Sequence, residues 1–186
     1  MLVSHERDKL INAIVFFAQN TRYCGKIKLI KLLYLLDFEH FRQTGRSVTG
    51  MDYRAWKMGP VPLTFYQEWD VPEADLAAAI DIVPEKIVDY TRETVVPKIA
   101  FDDSHFTKRE LRIMNELAAN LSDSYSKPMV DMTHAELGPW QKIWEGGRGD
   151  GERIPYTLAI ADDDPQRAAI LESFQEYAAI AAARTH

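Results

Sequence analysis

From Glu6 to Asn20, apolar residues recur three and four positions apart, at Leu10, Ile11, Ile14, Val15, Phe17 and Ala18. That is the spacing of an amphipathic helix with one buried face. Gly25 breaks it, and about Lys26 to Arg42 predicts a second helix that is apolar nearly all round, as a helix enclosed by others should be. Only Lys28, Lys31, Glu39 and Arg42 form a narrow wet stripe. Leu35 projects into the middle of that stripe, so it is either covered by another element or offered to a partner. Asp37 falls on the opposite, apolar side, three residues before His40. A buried carboxylate without a donor is costly. Asp37 is therefore expected to take a backbone N–H, Arg or His partner in a structural network, a reading that outweighs catalytic use of the pair.

Gly45 and Gly50 bracket a turn, and Met51 to Lys57 then alternates like a strand. Tyr53, Ala55 and Lys57 lie on one side, and Asp52, Arg54 and Trp56 on the other. Gly59-Pro60-Val61-Pro62 is expected to stop that strand, because proline offers no N–H to a ladder. Pro62 suits the first turn of a short helix carrying Phe65, Tyr66 and Trp69. Another short helix is expected around Leu76–Ile80. Lys86–Tyr90 and Val95–Ala100 are β-rich, forming a hairpin or pairing with Met51–Lys57.

Thr107-Lys-Arg-Glu110 is a capping box opening a helix through Leu111, Met114, Leu117, Ala118 and Leu121. Ser126-Lys-Pro128 predicts a further short helix ending near Thr133-His134. Four glycines make 145–152 the loosest loop. Asp164-Pro165 introduces a last helix over about 164–183, with Ile170, Leu171, Phe174, Tyr177, Ala178 and Ala181 on one face. The expected fold is mainly α with a small antiparallel β-sheet (α+β), one compact helical domain over residues 1–186.

Bulk properties narrow the function. A composition 46% hydrophobic and 27% charged argues against disorder. No apolar run approaches the roughly 20 residues a membrane-spanning helix needs. The charged N-terminus does not suit a signal peptide. These features point to the cytoplasm. A net charge of −6 weighs against nucleic-acid binding. The charge is uneven: residues 1–60 carry 10 Lys and Arg against 5 Asp and Glu, and the remainder 12 against 23. Such a dipole suits steering of a charged protein partner, although it is also what two ordinarily solvated faces would show.

The candidate chemistry is sparse. His134-Ala-Glu136 matches half of a zinc-deaminase signature, whose other half needs two cysteines, and the chain has one. His134 and Glu136 with a distant His remain the only route to a small metal-dependent enzyme, and a histidine packed beside Trp140 is the plainer reading. Cys24 has Arg22 and Lys26 nearby, which would lower a thiol pKa, but no motif makes it a nucleophile. The expectation is no enzyme, no catalytic residue, no metal and no cofactor. Tyr53, Trp56, Phe65, Tyr66 and Trp69 fall within seventeen residues. Core packing accounts for most such clusters, but aromatics beside Arg54 and Lys57 are also what interface hot spots use. Asp162–Asp164 are most simply a solvated loop with a cap, and alternatively an acidic contact for a basic partner.

Lys31-Leu-Leu-Tyr-Leu-Leu-Asp37, Thr44-Gly-Arg-Ser-Val-Thr-Gly50, Tyr53-Arg-Ala55 and Gly59-Pro-Val-Pro62, in that order, resemble the N-terminal half of the Panacea (SocA-like) family of antitoxin domains. Thr133-His134 followed by Trp140 is similar to its C-terminal block. The likeness spans about Leu10 to Trp144. It implies fold-signature roles for Asp37, Gly45, Gly50, Gly59, Pro60, His134 and Trp140. It also implies a type II antitoxin that binds and neutralises a cognate toxin protein by masking its active or substrate-binding surface. A toxic small alarmone synthetase or another translation inhibitor is the kind of toxin implied. The alternative the family offers is an adaptor delivering its toxin to ClpXP, with ClpX as partner. Candidate toxin contacts are Tyr53, Arg54, Trp56, Lys57, Tyr66 and Trp69. No DNA-binding module is expected in front, so operator binding is not expected. Tyr156–Ile160 and the Ala-rich last helix depart most from the family pattern, which makes them a place for toxin specificity.

Overall fold

The helix read as apolar all round, α2 (Lys26–Thr44), runs through the centre of the molecule and is buried without interruption from Lys28 to Tyr34. The computed structural model describes residues 5–124 and 138–183. Helix α1 (His5–Asn20) packs on α2 with the expected Leu10, Ile11, Ile14, Val15 and Phe17 buried, but Asn12, Ala13 and Phe16 are buried too, so the middle of the helix is enclosed all round and not on one face alone. The short helices α3 (Leu63–Glu68) and α4 (Ala74–Ala79) follow, then α5 (Lys108–Leu121), which adds Ile113, Met114, Ala118 and Leu121 to the same core. Helices α6 (Pro139–Trp144) and α7 (Arg167–Ala183) close the chain. Two antiparallel hairpins complete this α+β fold: β1 (Tyr53–Trp56) with β2 (Gly59–Pro62), and β3 (Ile80–Lys86) with β4 (Thr91–Pro97). The capping box is present, with Thr107 Oγ1 accepting from the Glu110 N–H and Glu110 Oε2 accepting from the Thr107 N–H.

The wet stripe on α2 is half wrong. Lys28 and Lys31 are buried (0% and 1% exposed), while Glu39 and Arg42 pair on the surface. The buried ammoniums serve carbonyls that have no helix or ladder partner. Lys28 Nζ donates to the carbonyls of Arg22 and Ser122, both at 2.7 Å, and Ser122 lies just past the C-terminus of α5. Lys31 Nζ donates to the Pro60 carbonyl at 3.0 Å. Leu35, in the middle of that stripe, is half-covered and packs on the core.

Gly59–Pro62 is a strand rather than a stop. Its register pairs Arg54 with Val61 and Trp56 with Gly59, and sets Pro60 and Pro62 opposite Ala55 and Tyr53. The backbone groups of Tyr53 and Ala55 turn the other way, to a segment at 151–154. There Ala55 N–H donates to the Glu152 carbonyl, and the Gly151 and Ile154 N–H groups donate to the carbonyls of Ala55 and Tyr53. Both prolines therefore occupy positions whose missing N–H the ladder does not need. The same parity turns the Pro60 carbonyl outward to meet Lys31.

The 145–152 segment, expected to be the loosest loop, is tied by backbone bonds from Gly149 to Trp144, Glu152 to Gly149 and Gly151 to Ala55. The second hairpin is the open alternative realised as a hairpin, its first strand lying earlier than expected, at Ile80–Lys86. The last helix begins at Arg167 after Asp164 Oδ1 accepts from the Gln166 N–H. Only Ile170 of its apolar face is buried, and Tyr177 is 39% exposed. The helix expected to open at Ser126–Pro128 lies outside the described residues.

Candidate functional site

The frame of the site is a buried carboxylate. Asp37 is fully enclosed and accepts four hydrogen bonds: Oδ1 from the Val48 and Thr49 N–H groups at 2.8 Å each, and Oδ2 from the Thr49 and Tyr53 hydroxyls. Burial pushes its pKa up to about 6, against the pull of those donors. The carboxylate thus ties α2 to the 45–50 turn and to β1. This is the structural network expected of it, with backbone and hydroxyl donors in place of Arg or His. His40 instead donates from Nδ1 to the Arg46 carbonyl, and burial lowers its pKa. Gly45 ends α2 with φ 75°, and its N–H returns to the Phe41 carbonyl.

Around that anchor, Tyr34, Phe38, Tyr53, Ala55, Trp140 and Ile154 form a second apolar cluster. Trp140 Nε1 donates to the Trp56 carbonyl at 3.0 Å, and its ring stacks on Trp144 at 5.5 Å. This fixes the end of β1 just before a two-residue turn, Lys57-Met58.

The candidate contact residues divide by burial. Tyr53 and Trp69 are interior, 1% and 2% exposed. Tyr53 is spent on Asp37, and Trp69 Nε1 donates to Glu93. Arg54, Trp56 and Tyr66 are half-exposed, and Lys57 is exposed. The Trp56 and Tyr66 rings meet edge-on at 5.0 Å, and the Lys26 ammonium sits 3.9 Å from the Tyr66 ring centre. Met58 is 59% exposed at the hairpin tip. Lys26 and Met58, which adjoin these residues, were not among the candidates. Reading Gly59–Pro62 as a strand would have turned Lys57-Met58 into a hairpin tip and revealed Met58.

Cys24 is buried, and burial pushes its thiol up to about 11, opposite to the lowering expected from its basic neighbours. His134 and Glu136 lie outside the described residues. No described helix is long and apolar enough to cross a membrane.

No curated protein and no solved structure matches the chain. A family model described as "Antitoxin SocA-like, Panacea domain" matches residues 29–141. That span takes in most of α2, the Asp37 anchor, the β1–β2 hairpin and Trp140, and the chain belongs to the SocA-like Panacea family of antitoxin domains.

Proposed function

We propose that this chain neutralises a cognate toxin protein by direct contact, covering the toxin's active or substrate-binding surface with the edge built from the β1–β2 turn and α3. Family membership supports a general antitoxin role. The observation behind the location is the half-exposed Trp56–Tyr66 pair, flanked by Lys26, Arg54 and Lys57 and topped by Met58. Aromatic, Met and basic side chains are the types that carry binding energy at protein interfaces. A rigid frame beneath them lowers the ordering cost of association. In this reading Tyr53 and Trp69 hold the edge in place from below, and the toxin is met in the cytoplasm.

The test pairs the chain with the product of its neighbouring reading frame. Co-expression is expected to restore growth and yield a co-purifying complex. The Trp56→Ala, Lys57→Glu, Tyr66→Ala triple variant is expected to lose the complex while keeping its melting temperature. Failure of the native chain to rescue or bind would sink the antitoxin reading. A complex that survives the triple variant would move the contact elsewhere. Inhibition of the purified toxin without protease supports masking. Neutralisation that appears only when ClpXP is present would replace masking with the adaptor role.

A further inference from the structure

The N-terminal turn of α1 and the short 3-10 turn at Asp103–His105 bring two imidazoles and a carboxylate together. His5, Asp8 and His105 each offer a ligand atom, and these atoms all lie within 4.8 Å of one another. His5 Nδ1 is 4.0 Å from Asp8 Oδ2, one helical turn along the same face.

The His105 arm is built, not merely adjacent. Asn12, buried on α1, donates from Nδ2 to the Asp8 carbonyl, and its Oδ1 accepts from the Asp102 N–H at 3.0 Å. Phe101 packs on Phe16 and Phe106 on either side of the turn. Asp102 caps the turn through the Ser104 N–H and lies 3.5 Å from His105 Nε2. A carboxylate behind an imidazole fixes its tautomer and orientation in metal sites.

We propose that His5, Asp8 and His105 bind one divalent transition-metal ion of the zinc class, with Asp102 orienting His105. Two imidazoles and one carboxylate suit Zn²⁺ or Ni²⁺ far better than Mg²⁺ or Ca²⁺, which prefer all-oxygen shells. Tetrahedral zinc with ligands at about 2.0–2.1 Å spaces its donor atoms roughly 3.3 Å apart. His5, Asp8 and His105 carry side chains 73%, 46% and 27% exposed, so His5 and Asp8 are free to rotate inward. A fourth position stays open to water. The bound ion staples the start of α1 to the 101–106 segment, adding to the link made by the Asn12–Asp102 bond and the phenylalanine contacts.

The experiment titrates Zn²⁺ into the full chain, prepared without a histidine tag, by calorimetry, with hydrogen exchange read on the same samples. One equivalent is expected to bind, slowing exchange at residues 5–9 and 101–106. His105→Ala and His5→Ala are each expected to weaken binding by at least roughly tenfold, and Asp102→Asn by roughly tenfold with the stoichiometry kept. The His134→Ala, Glu136→Ala double variant is expected to bind as the native chain does. No uptake, uptake indifferent to both His5→Ala and His105→Ala, or uptake lost in the double variant would each overturn the assignment.

Discussion

Asp37→Ala and Asp37→Asn separate the two things the buried carboxylate does, accepting hydrogen bonds and carrying charge. The alanine removes the acceptor for two N–H groups and two hydroxyls at once. Each stranded donor costs about 1–3 kcal/mol. With water entering the vacated space and the Thr49 hydroxyl turning to a new partner, the expected loss is about 4 kcal/mol. The asparagine keeps an oxygen for the two N–H groups, and its amide donates to the two hydroxyls once they rotate. Charge is what it deletes. The folded pKa of about 6 stands above the ordinary 3.8, so between those values the folded protein holds a proton that the unfolded chain has released. The stability gained from that proton is full below about pH 4 and gone above about pH 6, a span worth about 3 kcal/mol. The asparagine variant should therefore match the native chain near pH 4 and exceed it by about 3 kcal/mol at pH 7. Urea denaturation across that range, followed by tryptophan fluorescence, reads both effects. An alanine variant losing less than about 1 kcal/mol, or an asparagine variant weaker than native at pH 7, would refute the reasoning; the second result would mean that the turn needs the charge itself.

The other buried charges and caps give further outcomes. Burial pushes Lys31 down to about 7 from 10.5, so the unfolded chain binds more protons between those values and stability rises with pH across them. Lys31→Met should abolish that rise and stabilise the protein by about 3 kcal/mol near pH 7, after about 1 kcal/mol for the lost bond to Pro60, as denaturation at two pH values would show. Thr107→Ala removes the cap of α5 and should cost about 1 kcal/mol in the same assay, with the fold unchanged by circular dichroism. Gly45→Ala forces a left-handed residue at φ 75° and brings a Cβ within 2.5 Å of the Ile170 carbonyl; a loss of about 2 kcal/mol is expected, with faster proteolysis at the start of α7.

Sequence reading recovered what depends on local pattern and missed what depends on unmatched backbone groups. The spacing of Leu10, Ile14 and Phe17 and the Thr107–Glu110 box act within a turn or two, so α1 and α5 were legible. Asp37 was legible as an anchor because a lone carboxylate on an apolar face must be satisfied, although its donors lie eleven to sixteen residues on. Lys28 and Lys31 were misread because periodicity treats every ammonium as wet. Their acceptors, the carbonyls of Arg22, Ser122 and Pro60, become visible only when the folded backbone is counted group by group. Pro60 and Pro62 misled in the same way: a proline breaks a ladder only where the ladder needs its N–H, and residues two apart share a parity. The aromatic cluster did not separate by sequence into surface and interior: burial encloses Tyr53 and Trp69, while Trp56 and Tyr66 stay half-exposed beside Lys26 and Met58.

Among the described residues expected to carry the family signature, all but Gly50 are interior: Asp37, Gly45, Gly59, Pro60 and Trp140 are covered. A partner has no access to them, so their part is to set where the surface residues stand. The Lys57-Met58 tip shows how the two separate. Trp140 holds the Trp56 carbonyl on one side, the 151–154 segment holds Tyr53 and Ala55 on another, and Lys31 holds Pro60 from below. The exposed side chains of the tip belong to none of the three apolar clusters. Substitutions there should change stability by no more than about 0.5 kcal/mol, while the same positions dominate any contact made across the tip. A frame stabilised from within thus leaves the residues of its surface turn free to change without loss of the fold.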